Sequence, residues 1–429
     1  MESPIRRGIK TVGIGKKGSK SLPPDLIEEI IRDLKGDKVS AAAKGAFFAA
    51  LVLKGVSEEE KALEEALAPG AFKNPQRLAE LLSPDSPAFV QEICGRILQG
   101  QTLDIPTARR LGDFLFYFAE YPRSLAFGDE AGDGARGLVA SALRVRYETA
   151  DEYEGLLASM EATIEEPFRE GVPEGPPIVQ LAEPFDGVDQ SYMVTPLLAD
   201  SLGQDDYRVV SLVGRNSGPK EGNNLLDLAK ALPARFLRKN RDLCGEGPPF
   251  GWYIDQGDLS RAVDRWVQIR RQTIKRPFLS TLEKFLNPVK ADIIITSAFH
   301  PPYAEKMITT AERAGFPAAI MVRNGIEGTL AFGLKRAVKI LCSVRQEGGT
   351  YLRQEMEFDP EGYLGFSVPF EEKRQAPSLL ENVRLIKMFK AQGATDCELF
   401  DLRVRATRAG LQQALDWVRC KKLPSPSTP

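Results

Sequence analysis

Clustered arginines and lysines are the side chains of this sequence that are the strongest candidates for a functional role. Residues 261–276 carry six basic side chains against one acid, Asp264, and Trp266 and Ile269 mark the apolar side of the helix that this spacing predicts. Residues 235–241 add four cations, and the glycine-containing segment 16–20 adds three. Such clusters bind the phosphates of nucleic acids or of phosphorylated small molecules, although runs of charge also coat solvated helix faces.

The loop NSGPKEGNN at 216–224 is a second kind of candidate anion site. A glycine-punctuated loop that opens a helix offers backbone N–H groups to a phosphate, and a solvated turn is the alternative interpretation. Together with the basic clusters it gives the candidate anion-binding residues, which are Lys16, Lys17, Lys20, Arg215, Lys220, Asn223, Arg270, Arg271, Lys275, Arg276 and Lys284.

A single histidine and five scattered cysteines exclude several kinds of site. With His300 alone, a zinc site built on several imidazoles cannot form, and the place of His300 before a helix favours a structural role over a chemical one. The cysteines are odd in number and form no C-x-x-C pair, so the sequence supports neither a disulfide framework nor a zinc ribbon.

The composition predicts a globular, cytoplasmic protein without a membrane segment. The 429 residues are 43% hydrophobic and 27% charged, with a formal net charge of −2. The longest apolar runs are far shorter than the roughly 18 residues that a membrane helix needs. Residues 148–170 hold eight acids and one arginine, so the negative charge is segregated from the basic clusters.

The elements that must position these residues follow from the hydrophobic periodicity. Residues 25–67 predict a run of three helices, and the layout of AALVLKGVSEEEKALEEAL returns in SALRVRYETADEYEGLLASM: a helix, a turn, a Ser57 or Thr149 cap and acidic residues. After the helix-breaking GVPEGPP at 171–177, strands alternate with helices, which predicts an α/β domain with a mainly parallel sheet. The predicted strands are 178–182, 208–213, 292–297 and 317–323, and the predicted helices lie near 194–203, 222–232, 258–275 and 301–314.

Residues 335–370 are predicted to be β-rich or irregular, and two helices, 376–392 and 406–420, precede a polar tail. Ligands of open parallel sheets bind outside the carboxyl ends of the strands. The sequence therefore places function in the loops that follow residues 182, 213, 297 and 323.

The segments RPFLSTLEKFLNP and SAFHPPY, between residues 276 and 303, resemble the anthranilate phosphoribosyltransferase family, also called glycosyl transferase family 3. Their spelling is closest to the DNA-binding branch of that family, outside the tryptophan pathway, which carries RxxxxTLxKLxxP and SxxHPxY. The N-terminal GIGKKGSK is similar to the GRGK start of the same branch. Ser280 departs from the branch, which has histidine there. The matching residues are Arg276, Thr281, Leu282, Lys284, Ser297, His300, Pro301 and Tyr303.

The resemblance implies a helical head followed by an α/β domain of the nucleoside phosphorylase and phosphoribosyltransferase type. It also implies nucleic-acid binding in a positive groove and a homodimer formed through the heads, although two heads in one chain could leave the protein monomeric. The predicted segments are a basic N-terminus (1–21), a first head (22–70), a second head (71–170), the α/β domain (171–375) and C-terminal helices with a tail (376–429).

The loops that bind phosphoribosyl diphosphate in the enzymes of this family are altered here. Gly187 and Thr195 remain from the diphosphate turn, but the surrounding AEPFDGVDQSYMVT adds carboxylates that repel phosphate. The KHGN turn is missing, and Glu327 alone stands near the magnesium pair, whose places are taken by Leu330 and Ala331. The sequence thus predicts no catalytic residue, no metal ligand and no cofactor, with Gly187, Thr195, His300 and Glu327 as lining residues.

Three hypotheses follow. In the first, the chain is a catalytically silent relative that binds nucleic acid or another polyanion. In the second, it is an active glycosyl or phosphoribosyl transferase with a changed aromatic acceptor, and Glu327 or Asp186 holds magnesium. In the third, it is a scaffold whose extra helical head recruits a protein partner.

Overall fold

The computed structural model describes residues 2–15, 18–36, 39–118, 131–220, 222–245, 247–298, 301–323, 325–369 and 377–421, with the side chains of 301 and 302 left aside. The chain divides into two compact units. The helical unit comprises Met1–Thr163, Ser217–Pro219 and Arg265–Glu283, and the α/β unit comprises Ile164–Asn216, Lys220–Asp264 and Lys284–Pro429.

The first part of the chain is helical. Its helices are α1 (Pro4–Val12), α2 (Pro24–Lys35), α3 (Ala41–Lys54), α4 (Ala62–Glu65), α5 (Pro75–Leu82), α6 (Ala88–Leu98), α7 (Ile105–Leu115), α8 (Asp133–Arg146) and α9 (Ala150–Glu161). Short 3-10 helices lie at Glu59–Lys61, Ala71–Lys73, Glu166–Phe168, Asn240–Asp242, Glu283–Phe285 and Ile326–Gly328. In the part of the chain that is described, no helix is long and apolar enough to cross a membrane.

The α/β unit contains an eight-stranded sheet in the order β3-β4-β2-β1-β5-β6-β7-β8. The pairs from β3 through β6 are parallel, while β6–β7 and β7–β8 are antiparallel. The mainly parallel α/β fold is therefore confirmed. The strands are β1 (Ile178–Ala182), β2 (Arg208–Val213), β3 (Arg235–Phe236), β4 (Trp252–Asp255), β5 (Ile293–Ala298), β6 (Ala318–Arg323), β7 (Val338–Arg345) and β8 (Tyr351–Phe358).

The remaining helices are α10 (Thr195–Gln204), α11 (Leu225–Ala231), α12 (Gln256–Leu259), α13 (Arg261–Thr273), α14 (Leu279–Leu282), α15 (Pro301–Arg313), α16 (Pro360–Leu364), α17 (Leu379–Gln392) and α18 (Glu398–Cys420). One prediction was wrong in detail, since the helix expected over 258–275 is interrupted. Ser260 separates α12 from α13, and its hydroxyl accepts a hydrogen bond from the Val263 N–H at 3.1 Å, so this residue starts a new helix.

Helices α3 and α8 of the helical unit pack with their backbones in contact. A Cβ added to Gly45 would lie 2.2 Å from the Gly134 carbonyl oxygen, and one added to Gly137 would lie 1.9 Å from that of Ala42. Gly45 and Gly137 occupy equal places in the two repeats, and so do Ala42 and Gly134. The contact is therefore reciprocal, as in a twofold pair, and only glycine fits at its closest points.

A buried carboxylate organises the first repeat. Glu60 is fully buried and accepts hydrogen bonds from the N–H groups of Leu22 at 2.9 Å and Ser57 at 2.8 Å. The ammonium of Lys54, also buried, lies 2.6 Å from the same carboxylate. A buried charge needs such partners because burial alone is costly.

The second repeat contains the same arrangement. Glu152 is fully buried and accepts from the N–H groups of Leu103 at 3.0 Å and Thr149 at 2.8 Å. The guanidinium of Arg146 forms the ion pair that lysine forms in the first repeat. The similarity of layout seen in the sequence thus extends to the buried contacts of both repeats.

The close approach of α3 and α8 makes a testable prediction. We expect Gly137→Ala to lower the free energy of unfolding by roughly 1–3 kcal/mol, because the added methyl group collides with a carbonyl group. Gly203→Ala in α10 is the matched control: its Cβ meets nothing within 4 Å, and it should be stabilising by about 0.5–1 kcal/mol. Urea titrations would measure both, and equal effects of the two substitutions would contradict the packing described.

Candidate functional site

The loops that follow β1 and β2 lie against each other at the carboxyl end of the sheet. The Val188 N–H donates to the Asn223 carbonyl oxygen at 2.8 Å. A Cβ on Gly187 would lie 2.0 Å from that oxygen, and a Cβ on Gly222 would lie 1.7 Å from the carbonyl oxygen of Val188. The Asn223 side chain donates to the Pro377 carbonyl oxygen at 2.6 Å. Backbone therefore fills the space between these two loops.

Glu327 is the residue on which the ends of three strands converge. Its two carboxylate oxygens accept hydrogen bonds from the N–H groups of Asp189 at 3.2 Å and Gln190 at 3.1 Å. The ammonium of Lys220 forms an ion pair with the same carboxylate and lies 3.4 Å from the Asp189 carboxylate. The loops after β1, β2 and β6 thus share one buried charge.

The pKa values of Asp189 and Glu327 are shifted in opposite directions. A hydrogen bond to Glu327, together with desolvation, raises the pKa of Asp189 above its ordinary value. Desolvation opposes ionisation of Glu327, but hydrogen bonds from Lys220 and Asp189 outweigh it and hold the pKa of Glu327 below its ordinary value. Glu327 is consequently the charged member, and Asp189 is the better proton donor.

Glu183 lies deeper, directly after β1. It is buried, and it accepts a hydrogen bond from the Leu330 N–H at 2.8 Å. Desolvation raises the pKa of Glu183 against the opposing influence of that N–H, Thr195 and Lys284. Lys284 is itself only 4% exposed and donates to the Ser297 carbonyl oxygen at 3.3 Å. Lys284 and Thr195 are therefore buried inside the α/β unit, and a ligand cannot reach their side chains in this structure.

The residues present do not fit a magnesium site. Leu330 and Ala331 are fully buried apolar residues without a metal-binding atom in their side chains. The Glu327 carboxylate is held by Lys220, whose positive charge competes with a cation. Among the residues the structure describes, no group of three or more His, Cys, Asp or Glu side chains is arranged to hold a metal ion.

Arg215 follows β2 and is paired with acids of its own unit. Its guanidinium contacts the Asp264 carboxylate and lies 3.6 Å from that of Asp255. Burial raises the pKa of Asp264, and Arg215 opposes this shift. Two carboxylates thus already offset the charge of this candidate anion contact.

Arg270 corrects the predicted basic face of α13. The side chain is 2% exposed, lies 2.8 Å from the Glu283 carboxylate, and donates to the Ser280 hydroxyl at 2.9 Å. The prediction that Arg270 lies on an open face is therefore wrong. The helical period alone could not show it, because the acid that pairs with Arg270 comes from the following turn of chain.

Arg271 and Lys275 of this segment lie near the N-terminal helix, whose Arg6 guanidinium donates to the Arg271 carbonyl oxygen at 3.0 Å. The Lys275 ammonium donates to the Lys10 carbonyl oxygen at 3.2 Å, and the Arg144 guanidinium donates to the Arg276 carbonyl oxygen at 2.7 Å. Arg271 is exposed. We call Lys10, Arg144, Arg271, Lys275 and Arg276 the helical cation cluster.

Lys275, a member of the helical cation cluster, has a lowered pKa. Desolvation, followed by the charges of Arg144 and Lys10, lowers the pKa of Lys275 to about 8. The N-terminal acid Glu2 pairs with Lys10 at 2.8 Å, but it does not offset the effect on Lys275. Lys10 and Arg144 are members that the sequence analysis missed; the signal for Arg144 is its place beside Arg146 in the last turn of α8.

The rest of the predicted site is only partly described. Lys20 is exposed, and its N–H donates to the Thr11 carbonyl oxygen at 3.2 Å. Lys16, Lys17 and His300 lie outside the described residues, so their predicted roles stay predictions.

With this geometry in hand, solved structures with a similar fold can be compared. The chain superposes on anthranilate phosphoribosyltransferase from Thermus thermophilus with a TM-score of 0.55 and 18% identity, covering 75% of this chain and 89% of that one. The enzyme from Saccharomyces cerevisiae in complex with 4-fluoroanthranilate gives a TM-score of 0.60 and 13% identity, covering 78% and 90%. The chain therefore has the anthranilate phosphoribosyltransferase fold.

Similarity to known sequences is low. An uncharacterised protein of Aquifex aeolicus is 23% identical over 260 residues, which are 60% of this chain and 68% of that protein. No protein-family model matches the chain. The class that is shown is thus a phosphoribosyltransferase-like fold, and its activity has to be inferred from the residues.

The buried ion pair of Arg270 makes a second prediction. We expect Arg270→Met to lower the free energy of unfolding by about 3–5 kcal/mol, because it leaves the Glu283 carboxylate buried without its cation. The double change Arg270→Met with Glu283→Leu should recover most of this loss. Arg271→Ala, one residue away but exposed, should stay within about 0.5 kcal/mol of the parent. Denaturant titrations decide, and equal losses for Arg270→Met and Arg271→Ala would refute the assignment.

Proposed function

We propose that this protein binds nucleic acid or another polyanion through the helical cation cluster and does not transfer a pentosyl group. The observation that carries the proposal is the crowding of positive charge around Lys275. Like charges held close to the partly buried Lys275 cost free energy, and a bound phosphate offsets that cost.

The contrast between the two units supports this proposal. In the α/β unit, Arg215 and Lys220 each contact two carboxylates, so their charge is satisfied within the unit. In the helical unit, the neighbours that act on Lys275 are themselves cations. An anion bound beside Lys275 offsets the repulsion among these cations, of which Lys10 also pairs with the Glu2 carboxylate.

The loops at the carboxyl end of the sheet argue against the alternative of an active transferase. The site for a diphosphate after β1 would need Asp189 and Gln190 N–H groups that Glu327 already engages. Asp186, the other residue considered for magnesium, is fully buried.

Binding to fluorescent single-stranded and duplex DNA at several salt concentrations tests the proposal. We expect Arg271→Ala with Lys275→Gln to weaken binding about tenfold or more and to reduce the salt slope by about 1–2, because each lost phosphate contact removes about 0.7–0.9 from that slope. Lys73→Ala with Arg77→Ala removes the same charge elsewhere in the helical unit and should have a smaller effect. Equal affinities and slopes for both double variants would reject the helical cation cluster as the binding surface.

Lys275 also predicts proton uptake on binding. At about pH 8.5 the free protein holds Lys275 mainly neutral, and a bound phosphate raises its pKa, so binding takes up a proton; at about pH 6.5 the lysine is already protonated and uptake disappears. Calorimetric titration with DNA in two buffers of different ionisation enthalpy measures this uptake. Lys275→Gln should abolish it at the higher pH, and uptake that is unchanged in that variant would contradict the role of Lys275.

A further inference from the structure

The Asp189 and Gln190 N–H groups converge on one carboxylate. Successive backbone N–H groups aimed at a common point form the kind of concavity that binds small anions in proteins. The ammonium of Lys220 completes the arrangement from another loop and is itself partly buried, with 22% of its side chain exposed. Two N–H donors and one cation are a suitable donor set for a phosphate group.

The occupant of this concavity is held in a costly backbone conformation. Glu327 has φ +56° and ψ +15°, in the left-handed region that favours glycine, and it stands between Gly325 and Gly328. A side chain there is unfavourable unless its contacts compensate for it. The Glu327 side chain contacts the two N–H groups, Lys220 and the Asp189 carboxyl group, and these contacts compensate for the backbone conformation.

We propose that Glu327 is an internal competitor that occupies an anion cradle formed by the N–H groups of Asp189 and Gln190 and the ammonium of Lys220. Inorganic phosphate or diphosphate binds this cradle when the Glu327 carboxylate is removed or displaced. The Glu327 carboxylate is tethered beside the cradle. A free anion can bind only while this carboxylate is out of the cradle, so its apparent affinity is the intrinsic affinity multiplied by the fraction of time that the cradle is empty. The cradle shares no residue with the helical cation cluster, and this inference does not rest on the proposed function.

The carboxyl group of Asp189 lies close enough to the cradle to affect anion binding. The Asp189 backbone supplies an N–H group, but its carboxyl group lies beside the cradle and keeps a raised pKa through its hydrogen bond to Glu327. Without Glu327 that carboxyl group ionises more readily and repels an incoming phosphate. Asp189→Asn keeps the N–H group and removes the repulsion, so the informative variant combines Asp189→Asn with Glu327→Gly.

Calorimetric titration with diphosphate, without added metal, tests the proposal. We expect Glu327→Gly with Asp189→Asn to bind diphosphate at least about tenfold more tightly than the parent protein. Adding Lys220→Met to this double variant should abolish the gain. Glycine suits the backbone at position 327, and thermal unfolding checks that the variants fold; Glu327→Gln replaces Glu327→Gly if the glycine variant does not.

A folded double variant that binds diphosphate no better than the parent protein would overturn the proposal, and so would a gain that survives Lys220→Met. Arg271→Ala with Lys275→Gln in the same background should leave diphosphate binding unchanged. A loss with that change would assign the added affinity to the helical cation cluster and reject the cradle.

Discussion

The contact of Glu327 with Lys220 and two backbone N–H groups is the interaction on which the carboxyl end of the sheet depends. It joins the loops after β1, β2 and β6, and it places a carboxylate of the chain at the carboxyl ends of parallel strands, where ligands of open α/β sheets bind. The close backbone contact between Gly187 and Asn223 brings two of these loops together. The polar groups of these loops therefore bond to one another.

The candidate anion-binding cations differ in their surroundings. Arg215 and Lys220 of the α/β unit have acidic partners at close range, so binding an anion to them first costs an ion pair. In the helical unit, desolvation, followed by the charges of Arg144 and Lys10, lowers the pKa of Lys275 to about 8. A net charge of −2 therefore does not argue against polyanion binding, because affinity depends on local clusters.

Much of the fold could be predicted from the sequence, because four central strands are apolar segments, three of them followed by clear helical periods, and all four are present. β3 and β4 could not be predicted: one has two residues, and Trp252–Asp255 is too short to show a period. In the site, the sequence shows Leu330 and Ala331 at the positions where the resemblance places the magnesium pair. The burial of Arg270 and Lys284 and the position of Glu327 were not, since each depends on a partner that sequence spacing does not reveal.

A competition experiment with the parent protein distinguishes polyanion binding from pentosyl transfer. Fluorescent single-stranded DNA is bound first, and phosphoribosyl diphosphate with magnesium is then added at constant ionic strength. The account predicts that the DNA stays bound, that displacement does not exceed that caused by an inert salt, and that no diphosphate is released. Absence of DNA binding together with saturable, magnesium-dependent binding of phosphoribosyl diphosphate would contradict it and restore the transferase hypothesis.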